Sequence, residues 1–425
     1  MQKHLRWIAI LAVTLLAVAA CTPTGGGTTS AGASASSGAS GGGAAAACAA
    51  DEFGCVTVEA GAPIVLGTAL VISGANSSLG LDSQYGAQVA INLRGQVLGH
   101  DVELDNQDDG CSADGGTASA NLLKSKPEIV AVVGTSCSSA GEPAAQILSE
   151  AGILIVSPSN TAPSLTDPAT HQPFYARTAH NDKIQGAAMA QFACEELKVK
   201  SAATIHDGSP YAQQLQQVFA DNFKSQCDGT ITDQEAITVG QTDFSSVLAK
   251  IATSNNGKAP DFLYYPIFIA EGALITQQAA QNSDLDNTIR AGADGIFSPD
   301  FVDAAGDGAE GMYFSGPDLA FSGNFYEDTF LPEYRTVSGE DEPTAPFHAH
   351  AYDAVNMILD AVQKVAIDEN GTLSIPRTAL RDAFLATSGY KGITGTLTCD
   401  ENGDCADAKI SVSQLKNGKY VRIWP

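Results

Sequence analysis

Apolar residues along this chain fall in two alternating patterns: short unbroken runs, and longer stretches with three- and four-residue spacing. Residues 63–71 form a β-rich run that Ser73 and Gly74 end. Residues 80–93 then place Tyr85, Val89, Ala90 and Leu93 at helical spacing. Residues 100–105 alternate as a strand does. Residues 117–125 read as a helix, 129–133 as a buried strand, 142–151 as a helix and 153–156 as another buried strand. Strands and helices alternating through short polar links predict a parallel sheet covered on both faces.

The alternation restarts after Arg177. Helices are predicted at 183–197, 211–225, 244–254 and 270–281, with strands at 201–206, 231–237 and 261–265 between them. Short strands follow at 289–291 and 311–315. A long amphipathic helix at 349–366 and a shorter one at 377–387 come next, and 393–398 with 409–424 read as an antiparallel finish. Two successive α/β units imply two lobes with a cleft between them. Open parallel sheets bind ligands beyond the carboxyl ends of their strands, so residues just after strands are the candidates for a site.

The N-terminal residues change the picture of where the body works. Lys3, His4 and Arg6 precede an apolar run from Trp7 to Ala20, broken only by Thr14. The run is too short to span a bilayer comfortably and small residues follow it, as in a signal peptide. Val18-Ala19-Ala20-Cys21 resembles a bacterial lipobox, in which the cysteine is lipidated and becomes the mature N-terminus. The other reading is an ordinary signal peptide with a chance cysteine. Residues 22–49 are nearly all Gly, Ala, Ser and Thr, and read as a flexible tether spanning about 30 Å by random-coil scaling. An alanine-rich helix over 44–50 is the alternative.

Loss of Lys3 and Arg6 from the 22 basic residues leaves 48 acidic ones in large excess, which makes nucleic acid and anionic lipid surfaces poor partners. Of the nine cysteines, eight remain besides Cys21, an even number for an oxidising compartment. Proximity in sequence suggests Cys48–Cys55, Cys111–Cys137, Cys194–Cys227 and Cys399–Cys405, among many possible connectivities. No pair has the C-x-x-C spacing that zinc would favour.

Three segments carry a resemblance. One is Asp108-Asp-Gly-Cys-Ser-Ala-Asp114 before a helix. Another is Gly134-Thr-Ser-Cys-Ser-Ser139, continuing through Glu150-Ala-Gly-Ile-Leu-Ile-Val-Ser-Pro158 to Thr161. The last is Ile205-His-Asp207 with Tyr211, followed by Asp261-Phe-Leu-Tyr-Tyr265. In order and spacing they resemble the periplasmic leucine/isoleucine/valine-binding proteins, the type I solute-binding proteins of ABC importers, over the body from about Pro63 onward. The resemblance implies an α/β fold of two Rossmann-like lobes with parallel central sheets joined by a hinge. The expected division is 1–20 signal peptide, 21–50 lipidated cysteine and tether, 62–180 plus 318–394 first lobe, and 181–317 plus 395–425 second lobe.

The resemblance also implies roles residue by residue. It pairs Cys111 with Cys137. It places Ser138 on the ligand's α-carboxylate and Thr161 on both carboxylate and ammonium. Tyr211 matches an aromatic contact from the second lobe, Phe268 stands where the family has a tyrosine, and Leu79 where a tyrosine is common. Asp294 stands where a glutamate pairs with the α-ammonium, one methylene shorter. Independently of the family, hydroxyls and N–H groups at 135–139 and 159–161, Ser159 included, suit a buried carboxylate, and Asp294 suits an ammonium. Each has a plainer reading: Ser138 and Thr161 as helix caps, Tyr211 and Phe268 as packing, Asp294 as part of a turn.

The function expected is therefore capture of an amino acid or similar small polar solute, delivered to a separate ABC permease and ATPase by hinge closure. The protein would be an exported monomer on the outer face of the cytoplasmic membrane, held to the membrane by its lipid alone, without nucleic acid, metal or cofactor. The alternative is a sensor for amides, urea or aromatic and carboxylic acids that signals to a membrane receptor. An enzyme is not expected: Gly134-Thr-Ser-Cys-Ser-Ser lacks the second glycine of a nucleophile elbow, and no Walker loop or H-E-x-x-H occurs. His348 and His350 lack a third ligand, and Asp400-Glu-Asn-Gly-Asp404 reads as a hairpin turn rather than a calcium loop.

Overall fold

The computed structural model describes residues 43–425. The signal-peptide and lipobox assignments, with Cys21, lie outside the described residues, as does most of the expected tether. Two parallel sheets organise the body. In the first lobe the strands run in the spatial order Val102–Asp108, Ile64–Leu70, Ile129–Gly134, Leu154–Ser157, Tyr175–Arg177, all parallel. In the second lobe the order is Thr230–Ala236, Ser201–His206, Phe262–Tyr264, Ile289–Gly292, Tyr313–Pro317, also parallel. Ile410–Lys416 and Lys419–Trp424 complete that sheet antiparallel.

Taken in chain order, both parallel sets run second, first, third, fourth, fifth. The order reverses between the first and third strands, which is where such sheets open a crevice for ligand. The central strand Ile129–Gly134 is buried at every position because helices cover both its faces. The edge strand Val102–Asp108 is only partly buried. Helices Ser77–Arg94 and His348–Val365 pack on one face of the first sheet, with Ile91, Ile358 and Val362 in their shared core. Ala113–Lys124 and Ser138–Glu150 pack on the other through Leu123, Ala144 and Leu148. Full burial of each such aliphatic side chain contributes about 1.5–3 kcal/mol.

Local chemistry sets the helix starts near the cleft. Ser209 Oγ accepts from Ala212 N, and Pro210 occupies the first position of helix Pro210–Cys227. Helix His348–Val365 is capped differently. The buried Asp82 carboxylate accepts from Phe347 N (3.0 Å), His348 N (2.8 Å) and Tyr334 OH (2.8 Å). Helix Ser77–Arg94 comes so close there that a Cβ on Gly86 would lie 2.0 Å from His348 O.

All four cysteine pairs suggested by proximity are disulfides in the structure. Three sequence expectations need correction. Residues Gly43–Ala50 form a helix, the alternative reading of 44–50, rather than the end of a tether. Alanine favours helix, the Cys48–Cys55 bridge fastens it, and Asp51 accepts from Thr378 N and Oγ1 at 2.9 Å. Residues 393–398 do not pair with 409–424: Thr396–Leu397 pairs with Tyr390–Lys391, and Ile410–Lys416 pairs with Lys419–Trp424 and Tyr313–Pro317. The return to the second lobe therefore comes later than residue 395, because Leu397 and Cys405 are packed in the core of the first lobe. The chain crosses between lobes three times, after Arg177, after Pro317 and after Cys405. Backbone bonds from Cys405 N to Arg177 O and from Asp318 N to Lys409 O tie the crossings together.

Candidate functional site

The two crevices face each other. Beyond strand Ile129–Gly134, the buried loop Thr135-Ser136-Cys137 leads into helix Ser138–Glu150, with Cys137 at its cap. The Cys111–Cys137 disulfide fixes this loop from one side. Asp109 fixes it from beneath, accepting from Ser136 N (2.6 Å) and Cys111 N (2.7 Å). Burial pushes the Asp109 carboxyl up to about 7, against the pull of those two backbone donors. Ser136 Oγ in turn accepts from Val71 N at 3.0 Å.

The neighbouring loop after Leu154–Ser157 is stitched to the first. Ser159 Oγ donates to Ser136 O (2.9 Å), Asn160 Nδ2 to Thr135 O (2.9 Å), and Ser138 Oγ accepts from Ala162 N (3.2 Å). Beneath it lies Arg177, fully buried, donating to Asn160 O (3.2 Å), Ala162 O (2.9 Å) and Thr166 Oγ1 (2.6 Å). Its Nε pairs with Asp404. Burial alone would raise Asp404, but Arg177 and the donors Asn181 and Thr166 prevail and hold its carboxyl below the ordinary value. The 399–405 turn is thus part of the site's foundation.

In the second lobe, Tyr211 stands in the first turn of helix Pro210–Cys227 and Phe268 immediately precedes helix Ile269–Ala280. Their rings meet at 5.2 Å between centroids. Asp294 begins a short 3₁₀ turn after strand Ile289–Gly292. Asp294 Oδ1 accepts from Gln185 Nε2 (2.6 Å) and Tyr211 OH (3.1 Å), and Tyr211 OH accepts from Gly295 N (3.1 Å). A side chain at position 295 would crowd Ile267 O at 2.8 Å, so glycine lets the acid approach the aromatic pair. Burial raises Asp294 to about 6, with Gln185 and Tyr211 pulling the other way.

A small cavity of about 10 Å³ between the closed lobes is lined by Leu79, Ser138, Ser159, Tyr211, Phe268 and Asp294, all named from the sequence, together with Ser136, Cys137, Gly295 and Phe347, so the lobes must part for a solute to enter. Thr161 is not on that lining. It sits behind it, buried, its hydroxyl set against the carboxyl of Asp182, which it pulls downward in pKa. The Asp182 carboxyl is itself fully buried. Burial and then the neighbouring Asp294 raise its pKa well above the ordinary carboxyl value. Polar contacts close the lobes over the cavity: Ser78 Oγ with Ser298 Oγ (3.2 Å), Ile269 N to Asn76 Oδ1 (3.3 Å), and Ser164 N to Gln214 Oε1 (2.9 Å). A wider hollow rimmed by Phe325, Tyr326, Tyr352 and Tyr390 belongs to the first lobe alone, so lobe movement does not gate it.

Asp109, Arg177, Asp182, Gln185, Phe347 and Asp404 escaped the reading of the sequence. Asp109 lay inside a motif singled out there, but Arg177 and Asp404 are brought together only by folding. His348 is a structural residue bound by Asp82 Oδ2 (3.1 Å) and Tyr326 OH (2.8 Å). Among the described residues no group of three or more His, Cys, Asp or Glu is placed to hold a metal ion, and no helix is long and apolar enough to cross a membrane.

Residues 63–419 match the periplasmic binding protein family. The chain is 27% identical to Leu/Ile/Val-binding protein homolog 3 of Brucella melitensis, over 85% of this chain and 94% of that one. It is 29% identical to the leucine-specific-binding protein of Salmonella typhimurium, over 76% and 82%. Among solved structures, a leucine binding protein from Thermotoga maritima superposes with a TM-score of 0.75 at 27% identity, covering 85% of this chain and 97% of that one. A branched-chain amino acid transporter substrate-binding protein from Streptococcus pneumoniae, in complex with isoleucine, gives 0.72 at 25% identity over 85% and 100%.

Proposed function

The chain belongs to the periplasmic binding protein family, and from that premise we propose that it captures a branched-chain amino acid and delivers it to an ABC importer by closing its lobes. The observation that carries this reading is the division of one inter-lobe cavity into two ends and a wall. Ser138, with the N-terminus of its helix, offers donors to a carboxylate. Asp294 offers a negative partner to an ammonium. Leu79, Phe268 and Phe347 supply apolar surface for an aliphatic side chain. Relatives named for leucine, isoleucine and valine binding support the same ligand class.

The two ends belong to different lobes, so a zwitterion completes its contacts only when the lobes are together. That differential contact is what shifts the open–closed balance towards closed. The shorter Asp294 is met by Tyr211 and Gln185, which fix its oxygen at the cavity. The sequence at Val18-Ala19-Ala20-Cys21 supports a lipid on Cys21, holding the body at the outer face of the membrane. Mass spectrometry of the membrane-extracted protein tests that lipid.

Calorimetric and thermal-shift titration with L-leucine, L-isoleucine and L-valine, beside an amide, urea and benzoate, tests the ligand. Saturation at 100 times the dissociation constant should add about 2.7 kcal/mol of stability. Stabilisation by benzoate or urea and by none of the amino acids would sink the proposal.

A further inference from the structure

We propose that Gln185 is a positioning residue that carries the setting of the inter-lobe crossings to the ligand-facing carboxylate of Asp294. The proposal rests on Asp294 as partner of the ligand's cationic end, but its first test needs no ligand.

Gln185 is fully buried in the first turn of helix Asp182–Glu195, just beyond the first crossing. Its Nε2 donates to Asp294 Oδ1 (2.6 Å) and Ser315 O (3.2 Å), and lies 3.2 Å from Ser315 Oγ. A carboxylate and a backbone carbonyl are both acceptors, so the amide can present only its NH₂ to them. Its Oε1 is thereby turned to His180 Nε2, which must carry the hydrogen. His180 Nδ1 is buried without a partner, and the ring stacks on Phe347 of the cavity wall. His180 belongs to the first crossing, and Ser315 to the strand Tyr313–Pro317 that runs into the second. One amide therefore joins two of the three crossings to the acid at the cavity.

The consequence is mechanical and electrostatic together. Lobe movement must change backbone angles at the crossings, and each change moves a group that holds Gln185. Asp294 is then aimed for an ammonium only when the crossings are set as they are in the closed form. The titratable groups around Asp294 are Asp182 on the helix of Gln185, Tyr211 on helix Pro210–Cys227 and Tyr264 on strand Phe262–Tyr264. His180 lies behind Gln185, and Arg177 acts on Asp182. Against the burial that raises Asp294, the hydrogen bond from Gln185 is the largest influence holding it down.

Gln185→Met keeps the length and removes the donor. In the full chain without added ligand, the Asp294 carboxyl followed by ¹³C NMR should titrate about one pH unit higher than in the unsubstituted protein. L-leucine should bind about tenfold more weakly or worse. A folded Gln185→Met protein with an unshifted Asp294 titration, or with unchanged leucine affinity, overturns the proposal. If the unsubstituted protein binds no amino acid, the proposed function fails while the titration still judges Gln185. If Gln185→Met does not fold, His180→Phe keeps the stacked ring and removes the donor to Oε1. It should move the Asp294 titration the same way by less, and no movement overturns the coupling.

Discussion

The two rims of the cavity solve opposite problems by different means. The first-lobe rim, at 135–138 and 159–162, is made of backbone groups and small hydroxyls. It is held by a disulfide, by Asp109 and by the buried Arg177–Asp404 pair. The second-lobe rim is made of side chains far apart in sequence, Gln185, Tyr211, Phe268 and Asp294, held by one another. The first offers donors whose charge does not change with pH. The second offers a carboxyl whose charge does, because burial has lifted it into the working range. Under the proposed function, the rim that would receive a carboxylate needs only fixed dipoles, whereas the rim that would receive an ammonium needs a charge, and a buried charge titrates.

Substitutions can break this contrast. The largest effect is expected from Asp294→Ala. Removing one member of a buried charge pair costs about 3–5 kcal/mol, so L-leucine affinity measured by calorimetry should fall more than about 100-fold. Replacing Cys111 and Cys137 together by serine should lower stability by about 3 kcal/mol in the chain-entropy model. Denaturant melts would show this, and affinity should weaken through the loosened first-lobe loop. Ser138→Ala removes one hydroxyl from a charged group and should cost about 1.5–3 kcal/mol of binding, with no change in the pH dependence. If Ser138→Ala and Asp294→Ala both bind leucine normally, the site is elsewhere.

The smallest expected effect sharpens the contrast most. Asp294 in the free protein titrates at about 6, raised by burial. An ammonium favours its ionised form, so affinity should be full above that pH and fall as pH drops through it. At pH 5 the loss should be about tenfold. The step near pH 6 should persist in Ser138→Ala and vanish in Asp294→Ala, leaving only the change that Asp109, at about 7 beneath the first-lobe loop, brings to both. A slope that followed Ser138 instead would reverse the assignment of the two rims.

Much of the fold was legible in the chain because its signals are local. Residues 129–133 are apolar without interruption, and a central parallel strand is buried on both faces, so the pattern and the environment agree. Ser138, Tyr211, Phe268 and Asp294 come from the family resemblance and Ser159 from the chemistry of its loop, and the fold gathers all five on one cavity. Thr161 was placed one step too far forward: its hydroxyl lies behind the lining, beside Asp182. The tether was read too long, because an alanine-rich stretch is also low in apolar bulk. Only the bridge to Cys55 and the contacts of Asp51 decide that Gly43–Ala50 stands as a helix against the body.

By itself, the order of apolar runs determined two successive α/β units, and the family resemblance pointed to the side chains that border the cleft. Hydrophobic periodicity and turn chemistry act between near neighbours, so they are written along the chain. Only the tertiary structure decided that Arg177 meets Asp404, that Gln185 holds Asp294, and that Asp182 is buried beside Thr161 and Asp294. Those relations join positions far apart in sequence. Their energies depend on burial and on a few tenths of an ångström, which no spacing of residue types encodes.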